Sequence, residues 1–206
     1  MRIVSSATLL LCVLLLSSAL ALRVPMSVSS LHEAFNQLRR DGKYVVQNLP
    51  DLLNLNSEMQ GIEGDPTCYK EAIEVSQKLE PLPPLAYSRE AREIAMERLV
   101  AMVKKDEFSH TLSDGSSAAS ILDSDYYFTT DNMAVFELIG RLHEEPSDPY
   151  QTPEQMIMAQ WLADCNFPSR PHRSIMRSTQ VTSFGCAYYN DEPILVCVLT
   201  TPIASK

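Results

Sequence analysis

The sequence predicts a mixed α/β domain in which a small sheet is covered by helices. Three observations carry that expectation: amphipathic helical runs with identifiable caps, a β-hairpin pattern near the C-terminal end, and a length that one hydrophobic core can serve. The first 21 of the 206 residues, "MRIVSSATLLLCVLLLSSALA", set a basic Arg2 before an apolar run and end in Ala19-Leu20-Ala21. That is the pattern of a cleavable secretory signal, and the run is too short to span a bilayer comfortably. Residues 22–206 are then expected to form a single exported domain.

The helices follow in order. "SSLHEAFNQLRRDG" offers Ser29 or Ser30 as a cap, Leu31, Phe35 and Leu38 at helical spacing, and Gly42 just past the end. Residues 43–65 read as irregular, and "DPTCYKEAIEVSQKLEP" then carries Cys68 on the first turn of a short helix capped by Asp65. "SREAREIAMERLVAMVKK", capped by Ser88, aligns Ala91, Ala95, Leu99 and Met102 on one face. "DEFSHTLSDGSS" is a polar loop, "DYYFTT" a β-type run, and "DNMAVFELIGRLHEE" reads as a helix that Asp131 could cap. Thr152-Pro153-Glu154-Gln155 combines an N-cap, a first-position proline and a capping glutamine, so a helix should run from Pro153 to about Cys165. On it Ile157, Trp161 and Asp164 share a face; Trp161 reads as core, and Asp164 as either an edge acid or a placed one.

Cysteine arithmetic adds two cross-links. Cys12 leaves with the signal, so Cys68, Cys165, Cys186 and Cys197 remain, an even count that favours two disulfides in an exported chain. "SFGCAYY" and "PILVCVL" flank the turn cluster Asn190-Asp191-Glu192-Pro193; pairing Tyr189 with Ile194 sets Cys186 opposite Cys197. Cys68 is then left for Cys165.

Charge and motifs exclude several functions. The formal net charge is −9, more negative still without Arg2, which argues against nucleic acid and against an anionic membrane surface. H-E-x-x-H, G-x-S-x-G, the phosphate-binding loop and G-x-G-x-x-G are absent, as is any N-x-S/T sequon. His32, beside Glu33, and His143, before Glu144, read as solvated surface positions. His110 and His172 stand apart, because each lies in a loop that follows a helix and precedes β-type sequence.

Several segments, taken in order, carry a resemblance. "FNQLR" resembles an N-x-x-R helix motif through Asn36 and Arg39, "PLPPLAYSREAREIAMERL" a P-L-x-W/Y segment opening a core helix, and "FSHTLSDG" an F-x-H loop. "TDNMA" stands in the place of G-E-N, "WLADC" of W-x-x-E, "RPHRSIM" of G-H-R, and "TSFGCAYYN" of a closing G-C/V-G/A strand. Together they resemble a divergent member of the CAP superfamily of SCP-like extracellular proteins, over about residues 29–200 with an insertion near 43–80.

The resemblance implies a three-layer α-β-α sandwich with a small mixed or antiparallel sheet. It also implies a cavity lined by His110, Asp131, Asp164 and His172, two histidines and two acids that could hold Zn2+ or another divalent cation. Both acids are aspartate where the family usually has glutamate; the shorter side chain favours orienting an imidazole over direct ligation. The function implied is a secreted binding or effector module for a lipid, a sterol or a partner protein, as a monomer or weak dimer. A metal-assisted hydrolase using the same residues, with Asp131 or Asp164 as base, is the rival, and a structural domain with a vestigial cavity the third reading.

Overall fold

A computed structural model describes residues 27–42, 67–122, 134–142, 152–165, 167–189 and 194–201. The signal-like start, the stretch 43–66, the "DYYFTT" run, Asp131, His143 and the turn 190–193 lie outside the described residues. The described elements are α1 (Val28–Arg40), α2 (Thr67–Gln77), β1 (Ala86–Tyr87), α3 (Arg89–Lys105), α4 (Ala118–Leu122), β2 (Val135–Arg141), α5 (Pro153–Ala163), α6 (Pro171–Met176), β3 (Ser183–Tyr189) and β4 (Ile194–Thr200).

The sheet runs in the order β1-β3-β4-β2. β4 pairs antiparallel with both β3 and β2, and β1 adds a short parallel edge to β3. Because side chains alternate across a strand, the sheet feeds two cores. Phe184, Cys186, Leu195, Cys197, Leu199 and Leu138 pack against α1, α5 and Met176 of α6. Ala187, Ile194, Val196 and Val198 pack against Ala91, Ile94, Ala95, Leu99 and Met102 of α3. Helices on both faces of a four-stranded mixed sheet make the expected α-β-α sandwich. β4 is buried along its whole length, in keeping with a sequence that is continuously apolar from Ile194 to Leu199.

Both cross-links match the expected pairing. Cys186 and Cys197 stand directly opposite on β3 and β4, and Cys68 on α2 joins Cys165 just beyond α5.

Local differences have identifiable causes. The first helix is capped by Ser27, whose hydroxyl accepts from the Ser30 N–H, and not by Ser29 or Ser30. "VFELIGR" is strand, not helix: all seven residues pair with β4, and tertiary pairing overrides a pattern that also fitted a helical period. His32 is half-buried, stacked on Phe184 at 4.9 Å with Nε2 3.0 Å from the Leu85 carbonyl, so it is part of the packing and not a solvated position. α5 ends at Ala163, with Asp164 as its left-handed cap. Its capping box forms as read, and Trp161 is buried with its indole N–H donating to the Ile139 carbonyl.

The N-x-x-R residues work as a backbone clamp. Asn36 accepts from the Leu85 N–H and donates to its carbonyl. Arg39, buried, donates to the carbonyls of Pro83, Met176 and Ser178; burial lowers its pKa from the usual guanidinium value. The segment leading into β1 and the loop after α6 are thereby fixed to α1.

Candidate functional site

The site begins with the loop after α3. Asp106 turns out of the helix in the left-handed region, φ 52°. The loop then closes on itself through short polar side chains. Glu107 accepts from the N–H and hydroxyl of Ser113, and Asp114 accepts from the N–H and hydroxyl of Ser116 and pairs with Lys105. These bonds hold both carboxyls below the usual range, Asp114 furthest, chiefly through Lys105 and Ser116. Gly115, at φ 83°, allows the tight reversal that returns the Leu112 N–H to the Ser116 carbonyl. Leu112 drops into the α3 core and anchors the loop. His110 is held at its rim.

Two residues not singled out from sequence complete this half. Glu137 lies on β2 on the same side as Val135 and Ile139, facing α3, and its carboxylate bridges two cations or donors: Oε1 to Arg98 Nε at 2.8 Å and Oε2 to His110 Nδ1 at 2.8 Å. Arg98, on α3, is fully buried, and its terminal nitrogens donate to the carbonyls of Ser109, His110 and Ser116. The signals were there. Arg98 interrupts the apolar face of α3, and Glu137 interrupts an apolar run; read as a strand, that run puts Glu137 on an inward face where an acid needs a partner.

The second half is built where α5 ends. Asp164 adopts the left-handed region, φ 50°, with its N–H bonded to the Gln160 carbonyl. The chain reverses through Phe167 to Arg170, also left-handed, φ 48°, and enters α6. His172 is therefore on the first turn of a six-residue helix, not in a loop. The reversal brings it back onto Asp164, which accepts from the His172 backbone N–H at 2.8 Å and from its Nδ1 at 2.8 Å. Arg170 secures the turn by donating to the carbonyls of Asp164 and Phe167 while its Nε bonds Glu71 of α2. Arg173 adds bonds to the carbonyls of Leu162 and Ala163; burial first of all lowers its pKa.

The two halves meet. The His110 and His172 rings lie 6.0 Å apart, centre to centre, with an interplanar angle of 34°. Each ring meets a nearly buried carboxylate at Nδ1 (side-chain exposure 6% for Glu137, 2% for Asp164). A carboxylate only accepts, so the proton sits on Nδ1 and the neutral ring keeps its lone pair on Nε2. Neither Nε2 has a hydrogen-bond partner among the described residues. Phe167 packs edge-on to His172 at 5.8 Å, and the Arg141 guanidinium lies 5.0 Å over the Phe108 ring; both phenylalanines are exposed.

Of the four residues expected from sequence, His110, His172 and Asp164 come together, and Asp131 lies outside the described residues. Among the described residues, no three or more of histidine, cysteine, aspartate and glutamate converge as ligands to one ion. Two imidazoles ~2.1 Å from one tetrahedral ion through Nε2 would set their ring centres roughly 5 Å apart; here the centres are 6.0 Å apart, a spacing that one ion could bridge only with a wider angle between its bonds.

The family model described as "Cysteine-rich secretory protein family" (CAP) matches residues 32–199. No curated protein matches the chain. Solved structures with a similar arrangement include a Bacillus anthracis extracellular protein containing an SCP domain, 18% identical, TM-score 0.45, covering 59% of this chain. The match spans only 35% of that protein's length. An outer surface protein of Borrelia burgdorferi is 20% identical, TM-score 0.45, over 66% of this chain and 91% of that one. A Staphylococcus aureus cysteine-rich secretory protein is 17% identical, TM-score 0.43, over 68% and 40%.

Proposed function

The chain belongs to the CAP family of cysteine-rich secretory proteins, and from that premise we propose that it is an exported binding module whose His110/His172 pair takes a divalent cation. The observation that carries this reading is the matched state of the two rings, each bonded at Nδ1 to a carboxylate and each left with Nε2. Imidazole nitrogen suits zinc and its neighbours, and a carboxylate behind the ring fixes its orientation and raises its basicity. The exposed Phe167, edge-on to His172, offers apolar surface beside the pair, suited to a lipid, a sterol or an apolar side chain of a partner protein.

Binding is favoured over hydrolysis by what the acids already do. Both Asp164 oxygens are engaged by His172, and Glu137 is divided between Arg98 and His110. Each oxygen of these two carboxylates is thus already committed to a neighbouring donor, which disfavours either as a base toward water, and Asp131 lies outside the described residues. The two disulfides suit an oxidising compartment, and among the described residues no helix is long and apolar enough to cross a membrane.

Zinc titration by calorimetry tests the proposal on the mature protein. One site in the wild type, lost in His110→Ala and in His172→Ala, with peptide and ester libraries left uncut, is the expected result. A wild type that takes no zinc sinks the metal site, and turnover of any library member sinks the binding reading. Titration with sterol-containing vesicles separates lipid carriage from recognition of a protein.

A further inference from the structure

We infer that Arg98 is the positioning residue of this site: one guanidinium sets both the His110 backbone and the carboxylate that His110 leans on. The inference rests on the proposed role of the histidine pair, but it has its own measurement.

The two halves are supported differently. His172 sits on a helix, and Asp164 grips it at two points, through Nδ1 and the backbone N–H. His110 is on a loop, half exposed, and makes a single bond to Glu137. Left to itself such a ring would rotate and exchange tautomers freely. Arg98 removes that freedom twice. Its Nη2 donates to the carbonyls of Ser109 and His110 at 3.0 and 3.1 Å, and its Nη1 to Ser116 at 3.2 Å, so both arms of the loop are tied to α3. Its Nε takes Oε1 of Glu137, which leaves Oε2 aimed at His110 Nδ1.

Fixing Glu137 also decides what the site offers an incoming ion. With Oε1 in a buried ion pair, the carboxylate serves the imidazole and is not free to turn outward as an oxygen ligand. Among the described residues the ion then meets two imidazole nitrogens and no carboxylate, a donor set for zinc, copper or nickel and a poor one for magnesium or calcium, which require oxygen. Arg98 is thus a specificity-determining residue without touching the ligand. Lysine cannot replace it, because an ammonium lacks the planar fork that reaches strand and loop together.

The first measurement needs no metal and no variant. Nitrogen-15 NMR of the metal-free wild type, above the imidazole titration range, should find His110 and His172 both protonated on Nδ1. His110 protonated on Nε2 overturns the inference. In Arg98→Lys, His110 should become a tautomer mixture while His172 is unchanged, and zinc affinity should fall roughly tenfold or more. A folded Arg98→Lys protein with His110 still on Nδ1 and wild-type zinc affinity shows a purely structural arginine and overturns it too. If the wild type binds no zinc but the His110 tautomer still depends on Arg98, the metal reading fails and the positioning role stands.

Discussion

Asp164→Asn separates holding His172 in place from holding its proton in place. Asparagine is well tolerated in the left-handed conformation that Asp164 adopts, φ 50°, so the backbone is not strained. One side-chain oxygen remains to accept from the His172 backbone N–H, which leaves the amide NH2 facing Nδ1 at the 2.8 Å separation now bridged by a proton on the ring. Two donors cannot share that gap. The imidazole therefore moves its proton to Nε2 and accepts from the amide, and the nitrogen offered to an ion is capped by hydrogen. Exchanging a charge-assisted bond for a neutral one at a buried site costs about 1–2 kcal/mol, or roughly 2–8 °C of melting temperature for a domain of this size. Asp164→Ala removes both bonds and adds about 1 kcal/mol or more of left-handed strain, so it should melt lower still. The assay is thermal unfolding with tautomer assignment and zinc calorimetry on the same samples. A folded Asn variant should lose zinc binding by roughly 10- to 100-fold, with its melting point lowered by no more than those few degrees. An Asn variant that binds zinc like the wild type, with His172 still protonated on Nδ1, would refute the reasoning.

Three further outcomes are expected. A methyl group at Gly185 would stand 2.2 Å from the Arg92 amide nitrogen and 2.6 Å from the Ser88 carbonyl oxygen, backbone atoms of α3 and its cap that cannot swing aside. Gly185→Ala should therefore destabilise by about 3 kcal/mol in denaturant titration, whereas at Gly140 the obstructing atom is the Ile157 side chain and the cost should be nearer 1 kcal/mol; equal costs would contradict the close approach of α3 to β3. Replacing Cys68 and Cys165 with serine opens a link across 97 residues and should cost about 3–5 kcal/mol by loop-closure entropy, with Cys186–Cys197 still intact on peptide mapping; an unchanged melting point would refute it. The carboxyls of Glu107 and Asp114 are lowered in the folded loop, so their contribution is complete above the ordinary carboxylate range and is lost as pH falls through the folded values, Asp114 last. Amide exchange across residues 107–116, corrected for its intrinsic pH dependence, should show protection falling below about pH 4, with Asp114→Asn already less protected at neutral pH; protection that is independent of pH would contradict the assignment.

What the sequence disclosed and what it hid divide along the range of the interactions. The capping box at Thr152, the paired hairpin and the opposition of Cys186 to Cys197 are decided within a dozen residues, and all were legible. "VFELIGR" was not, because Phe136, Leu138, Ile139 and the Glu137 among them satisfy a helical and an alternating pattern alike until β4, some sixty positions later, supplies the partner strand. That one ambiguity concealed Glu137. Arg98 was passed over differently: its spacing puts it on the apolar face of α3, but a basic residue on a helix is ordinarily read as solvent-facing, and what holds it inside is its contacts with β2 and the 109–116 loop. Asp164 was found through its motif, but whether an aspartate could reach His172 depended on two left-handed residues, Asp164 and Arg170, neither of them glycine. Such conformations are imposed by surrounding contacts and leave little trace in residue type.

The central position of β4 imposes an order on folding. β3 and β2 each pair with β4 and not with each other, and β1 reaches the sheet only through β3. Until residues 194–200 have emerged from synthesis, β2 lacks its one neighbour among the described strands, and the apolar faces of α3 and α5 have only part of the surface they cover. The expected order of assembly therefore runs backward along the chain: the local β3–β4 hairpin closes first, and the earlier elements then dock onto it across long sequence separations, the slow class of contact. A nascent chain of this topology holds its apolar segments exposed until its last strand arrives. Truncation before Ile194 would leave, among the described strands, the two-residue β1–β3 pairing alone, and amphipathic helices with little surface to cover.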